Sequence, residues 1–185
     1  ISACEKGGQW ETALQLLGLM RKRGVEPNVI SFSAAISACE KGGQWETAIQ
    51  VLESMRRNGV EPNSISYNAA ISACAKGGQW EMALQLLDKM RSCELEPNII
   101  SFNAAIEACR KVGRCQEALQ LLHDMRLSGV KPDIVSYTTV IRTLEKDQQF
   151  DKALELFIEM EKLGIKPKME SFGPEIRRQR SIPLN

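Results

Sequence analysis

The sequence predicts an all-α protein, an α-solenoid of stacked helix pairs, and three observations carry that prediction. The first is a period. Pro27, Pro62, Pro97, Pro132 and Pro167 stand 35 residues apart, and the same step links Met20, Met55, Met90, Met125 and Met160, and Ile1, Ile36, Ile71, Ile106 and Ile141. Markers in register without an insertion identify a repeat array. The second is helical spacing of apolar residues inside each repeat. The third is punctuation, with Gly-Gly at mid-repeat and Gly then Pro near the end.

The register divides the chain into a partial repeat at 1–28, full repeats at 29–63, 64–98, 99–133 and 134–168, and a degenerate capping repeat and tail at 169–185. Ile1 falls at the eighth position of its repeat, so a longer parent protein is expected. In the 64–98 repeat, Tyr67, Ala70, Ile71 and Cys74 share one face of a first helix, which Gly77-Gly78 breaks. Trp80, Ala83, Leu84, Leu87 and Met90 form the apolar face of a second helix, and Pro97 forbids its continuation. Gly59, Gly129 and Gly164 stand where a left-handed C-terminal cap belongs, whereas Glu94 replaces glycine and predicts a looser turn. Helices of about 12 residues do not bury both faces alone, so neighbouring repeats must stack.

Composition adds limits. Hydrophobic residues make up 43% and charged residues 25%, ordinary for a folded protein. No apolar run approaches the roughly 18–20 residues of a membrane span, so no direct membrane insertion is expected. The formal charge of +1 gives no global positive field, and any polynucleotide would rely on a local stripe. Cys4, Cys39, Cys74 and Cys109 recur on the first-helix apolar face without a C-x-x-C pair, which reads as small core residues rather than metal ligands. Cys93 and Cys115 fall off that register as free thiols, and six free cysteines fit a reducing compartment. His123 is the single histidine and reads as a solvated helix residue. No catalytic triad, zinc-deaminase pattern or P-loop is present, so neither enzymatic activity nor a cofactor is expected.

The first helix has a second face. Its second, fifth, ninth and thirteenth positions project together. They give an aliphatic row (Ile30, Ile65, Ile100, Val135) and an amide or hydroxyl row (Ser33, Asn68, Asn103, Thr138). A mixed row (Ser37, Ser72, Glu107, Arg142) and a lysine row (Lys41, Lys76, Lys111, Lys146, extended by Lys6) complete the face. Lysines can track phosphates, aliphatic side chains can sit between unstacked bases, and amides or hydroxyls can reach base edges exposed in single-stranded RNA. The competing reading makes the lysines solvated helix-end residues beside the C-terminal dipole. The RRQR segment (Arg177, Arg178, Arg180) reads as a solvated, mobile tail.

The stretch SYNAAISACAKGGQWEMALQLLDKMRSCELEPN resembles a P-type pentatricopeptide repeat, and the resemblance covers nearly the whole chain. The 35-residue unit separates it from the 34-residue tetratricopeptide repeat, whose W-x2-L-G-x2-Y signature is missing. The resemblance implies a right-handed superhelical solenoid in a chloroplast or mitochondrion that binds single-stranded RNA in its processing, stability or translation. It further implies one base per repeat, chosen by the fifth and last residues, with the second residue wedged between bases. Ser33 with Asn63 resembles an adenine pair, Asn68 with Asn98 a pyrimidine reader favouring cytosine, and Asn103 with Asp133 a uridine pair. Thr138 with Lys168 suggests a purine, an assignment left open by the unusual lysine. The implied track is 5′-A-C/U-U-purine-3′. Glu170 and Gly173 depart from the wedge and reading residues, as a capping repeat would. The alternative is a protein-binding scaffold, a subunit or assembly factor of a large organellar complex, which the near-zero charge favours.

Overall fold

The computed structural model describes residues 1–166 and 168–180; Pro167, the last of the proline markers, and residues 181–185 of the tail lie outside the described residues. Among the described residues the fold is all-α, with one 3-10 turn and no strand. The chain divides into two compact units, residues 1–108 and Cys109 onward.

The first unit contains α1 (Ser2–Gly7), α2 (Trp10–Lys22), α3 (Val29–Lys41), α4 (Trp45–Arg57), α5 (Ser64–Gly77), α6 (Trp80–Ser92) and the larger part of α7 (Ile99–Val112). Each pair corresponds to one 35-residue period. First helices pack on one another, α1 on α3 and α3 on α5, and α3 and α5 also pack against second helices on either side. Tyr67, Ala70, Ile71 and Cys74, the predicted face of α5, are fully buried. Burial extends to Ala69, Ala73 and Ala75, because α5 is enclosed by α3, α4 and α6 at once. Small residues at those places let the helix axes approach closely. On α6, Ala83, Leu87 and Met90 are buried as predicted, but Leu86 takes the buried place and Leu84 is half-buried.

The joints explain the repeated Gly-Gly and Trp. The second glycine of each pair is left-handed, at Gly8, Gly43 and Gly78. The first glycine has a different duty. A Cβ on Gly42 would lie 2.5 Å from Cδ1 of Trp10, and a Cβ on Gly77 would collide with the Trp45 ring. The indole of one repeat thus lies on the bare backbone of the next. The end of each second helix closes with a paired turn: Gly59 N–H donates to Arg56 O (2.9 Å) and Val60 N–H to Met55 O (3.1 Å). The turn at Glu94 is not looser. Glu94 adopts φ 58°, and its N–H donates to Arg91 O (2.9 Å) while Leu95 N–H donates to Met90 O (3.1 Å). The same two bonds close this turn with a non-glycine residue in the left-handed region.

The second unit continues with α8 (Cys115–Leu127), α9 (Ile134–Lys146), α10 (Phe150–Lys162), a 3-10 turn (Met169–Ser171) and α11 (Pro174–Arg180). Cys115 replaces the tryptophan of earlier repeats and is buried, its thiol donating to Asp147 Oδ2 at 3.1 Å. Arg126 donates to the Tyr137 hydroxyl (2.9 Å), which donates to Glu159 (2.8 Å), a polar knot joining α8, α9 and α10. At the end, Phe172 packs edge-on to Phe157 with centroids 5.2 Å apart, and Gly173 N–H donates to Glu145 Oε1 at 2.7 Å. The described part of the RRQR segment is helical rather than a free tail. Pro174 opens α11, Ile176 buries it, and Arg177 Nε donates to Phe172 O at 2.7 Å.

Candidate nucleic-acid interface

The aliphatic row is open to solvent. Ile30, Ile65 and Ile100 are 69%, 63% and 56% exposed in the first unit, and Val135 is 51% exposed in the second. These branched side chains recur at one repeat position, beside polar neighbours. In the first unit a groove is lined by Val29, Ile30, Ser33, Ser37, Asn63 and Ile65. In the second, another is lined by Val135, Thr138, Arg142 and Lys168.

The last residue of each repeat is the N-cap of the next first helix, a duty the sequence reading missed. Asn28 accepts from Ser31 N–H (3.0 Å), Asn63 from Ser66 N–H (3.0 Å), Asn98 from Ser101 N–H (3.2 Å) and Asp133 from Ser136 N–H (2.9 Å). The signal was available, since Asn or Asp three residues before Ser at a helix start is a capping pattern. Lys168 holds the same place before Ser171, but its ammonium has no acceptor to offer. A 3-10 turn follows it instead of an α-helix, with Ser171 N–H donating to Lys168 O at 2.9 Å.

The fifth-position residues differ in how much they have to offer. Asn68 is half-buried, and its Nδ2 donates to Asn98 Oδ1 at 3.3 Å, so this predicted pair meets directly. Ser33 is buried, and its Oγ lies 2.7 Å from Ser66 Oγ. It does not reach Asn63 by itself; Ser66 links them, donating to Asn63 Oδ1 at 3.0 Å. Thr138 is half-buried and returns its hydroxyl to the Ile134 carbonyl, as threonines on helices often do. Asn103 lies half-buried on α7 in the first unit, and Asp133 caps α9 in the second.

The lysines are exposed, and Lys41 and Lys76 are among those already engaged. Lys41 Nζ lies 3.5 Å from Glu5, and Lys76 Nζ lies 2.7 Å from Glu40 while also donating to the Glu40 carbonyl at 3.3 Å. Both pairs step from one first helix to its neighbour, so the row serves as a clamp between repeats. Lys6, Lys111 and Lys146 are exposed at the ends of α1, α7 and α9. Exposed ion pairs contribute about 0–1 kcal/mol, so a phosphate can compete for the same ammonium.

Burial governs the thiols. It pushes Cys39 and Cys109 up to about 11 and Cys74 up to about 12, far from a reactive range at neutral pH. Among the described residues no cluster of three His, Cys, Asp or Glu side chains could hold a metal ion, and His123 is exposed on α8. No helix among them is long and apolar enough to cross a membrane.

A family model described as the pentacotripeptide-repeat region of PRORP matches residues 1–126 and again residues 66–179. The pentatricopeptide repeat protein PPR10 from maize is similar in structure with a TM-score of 0.77 and 28% identity, over 92% of this chain and 24% of that one. The chain therefore spans about a quarter of the maize protein. The PPR domain of Arabidopsis thaliana protein-only RNase P 1, solved in complex with tRNA, is similar with a TM-score of 0.80 and 17% identity, over 91% of this chain and 89% of that one. PPR10 in complex with an 18-nt psaJ RNA element gives a TM-score of 0.62 and 21% identity, over 91% of this chain and 35% of that one. At these two lower identities the likeness bears on the fold alone. No curated protein matches the chain significantly.

Proposed function

The chain belongs to the pentatricopeptide repeat family, and from that premise we propose that it is a non-catalytic module binding single-stranded RNA along the second face of its first helices. The observation that carries this reading is the bare aliphatic row, Ile30, Ile65 and Ile100, standing beside the polar side chains Asn63, Asn68 and Asn98. Exposed bases have apolar faces and polar edges, and that alternation matches them. Two solved structures that share this fold carry RNA in their descriptions, a psaJ element and a tRNA, so the fold is one that accommodates RNA.

Within this reading Ile30, Ile65, Ile100 and Val135 separate bases. Ser33 with Asn63, Asn68 with Asn98, Asn103 with Asp133 and Thr138 with Lys168 select them, on a track A, C or U, U, then a purine. Lys6, Lys41, Lys76, Lys111 and Lys146 meet phosphates. The setting proposed is an organelle, chloroplast or mitochondrion, in RNA processing, stability or translation, a setting that rests on the family alone.

Base stacking contributes about 1–3 kcal/mol per base, offset by ordering of the strand, so four repeats bind weakly. The test is binding of a short RNA containing ACUG against a scrambled RNA across a salt series. The expected result is a preference for the matched RNA and a log–log salt slope of about −0.7 per phosphate neutralised. Equal binding of both RNAs with no salt slope overturns the proposal and leaves a protein scaffold as the better reading.

A further inference from the structure

The Asn68 side chain has two ends of opposite hydrogen-bonding character, and what fixes its direction decides what a base would meet. Ser101, the third residue of the following repeat, is fully buried. A serine hydroxyl has one proton to give. Asn98 N–H donates to Ser101 Oγ at 3.1 Å, so Oγ is already an acceptor there. Its own proton has three acceptors within reach: Asn68 Oδ1 at 2.5 Å, Asn98 Oδ1 at 3.3 Å and the Met90 sulfur at 3.8 Å. The shortest of these goes to Asn68. With Oδ1 held inward, Asn68 Nδ2 points to Asn98 Oδ1 at 3.3 Å and keeps its second N–H.

The reversed amide is disfavoured on two counts. It would set the Asn68 oxygen against Asn98 Oδ1, which already accepts from Ile100 N–H (3.0 Å) and Ser101 N–H (3.2 Å). It would also turn the buried Ser101 proton from its nearest acceptor to the longer contacts with Asn98 Oδ1 at 3.3 Å or the Met90 sulfur at 3.8 Å, at a cost away from water. The equivalent contact one repeat earlier carries no such bias, because either hydroxyl of the Ser33–Ser66 pair can donate.

The geometry points to Ser101 as a positioning residue for base selection: it holds Asn68 as a hydrogen-bond donor toward the groove. A donor suits the O2 and N3 acceptors of cytosine and opposes the N–H groups on the pairing edge of guanine. This inference rests on the RNA-binding proposal above and adds a residue outside the fifth and last positions to base choice.

The test compares wild type, Ser101→Ala and Ser101→Thr in two measurements. The first follows the Asn68 side-chain amide protons by nitrogen-15 NMR in the protein without RNA. Ser101→Ala is expected to speed their exchange on the order of tenfold, the equivalent of one net hydrogen bond, and Ser101→Thr to restore it. The second measures affinity for two RNAs differing only in cytosine or guanine at the base facing Asn68. The cytosine preference is expected to fall about tenfold in Ser101→Ala, with the salt slope unchanged, and to return in Ser101→Thr. A merely structural role would weaken both RNAs alike and leave their ratio intact, which overturns the inference. So does an alanine variant with wild-type amide exchange. If wild type binds neither RNA, the RNA-binding proposal falls, and the amide measurement still decides whether Ser101 fixes Asn68.

Discussion

At the residue scale, Glu94 holds a left-handed backbone where Gly24, Gly59, Gly129 and Gly164 hold the same turn. A side chain in that region costs roughly 1–2 kcal/mol, partly offset by the lower entropy of the unfolded non-glycine chain. Glu94→Gly should therefore stabilise the protein by about 1 kcal/mol, read from the midpoint of chemical denaturation. Asn98 is the opposite case. Its oxygen accepts from Ile100 N–H and Ser101 N–H, so Asn98→Ala should cost about 1–2 kcal/mol in the same assay. The proline, methionine and glycine markers made the repeat and its helix ends legible from sequence. The hydrogen bonds of the fifth-position residues were not legible, because Ser33 and Asn68 are answered by Ser66 and Ser101, more than 30 residues away.

At the scale of the element, the first helix is the enclosed member of the internal pairs, as α3 and α5 show. One-face periodicity located Tyr67, Ala70, Ile71 and Cys74, but enclosure by three neighbours buried Ala69 and Ala73 as well, which no single-helix pattern reveals. That enclosure has a pH signature. Cys39, Cys74 and Cys109 are raised by burial from the usual 9.0 to about 11, 12 and 11, and Tyr67 is raised from 10.0 to about 12. Below pH 9 these thiols are protonated in both states and stability is unaffected by them. As pH rises from 9 toward 11 or 12, the unfolded chain releases protons that the folded chain retains, so stability falls, by up to about 1.4 kcal/mol per pH unit for each group. Denaturation midpoints between pH 8 and 11 should show a plateau and then a decline, shallower in Cys74→Ala. In the native protein at neutral pH, alkylation followed by mass spectrometry should modify the half-exposed Cys93 well before Cys39, Cys74 or Cys109.

At the scale of the whole molecule, a net charge of +1 coexists with a lysine at one position of the partial repeat and of each full repeat. Glu5 and Glu40 account for part of that balance by engaging Lys41 and Lys76. The double variant Glu5→Gln, Glu40→Gln should remove the paired carboxylates from Lys41 and Lys76 and steepen the salt slope of RNA binding by about 0.7 for each. Titrations at several salt concentrations check this, and an unchanged slope would place those lysines away from the RNA. The lysine row was legible in the sequence; its partners were not, since they come from a neighbouring repeat. The caps carry a consequence of another kind. Asn63, Asn98 and Asp133 start the next helix and also stand at the last position of their repeats. Any change in what the array reads at these places is drawn from the few side chains that can also begin a helix. The vocabulary of such an array is therefore bounded by folding: Asn, Asp, Ser and Thr can be exchanged at modest cost, while any other letter is written at the expense of the joint that spaces the next one.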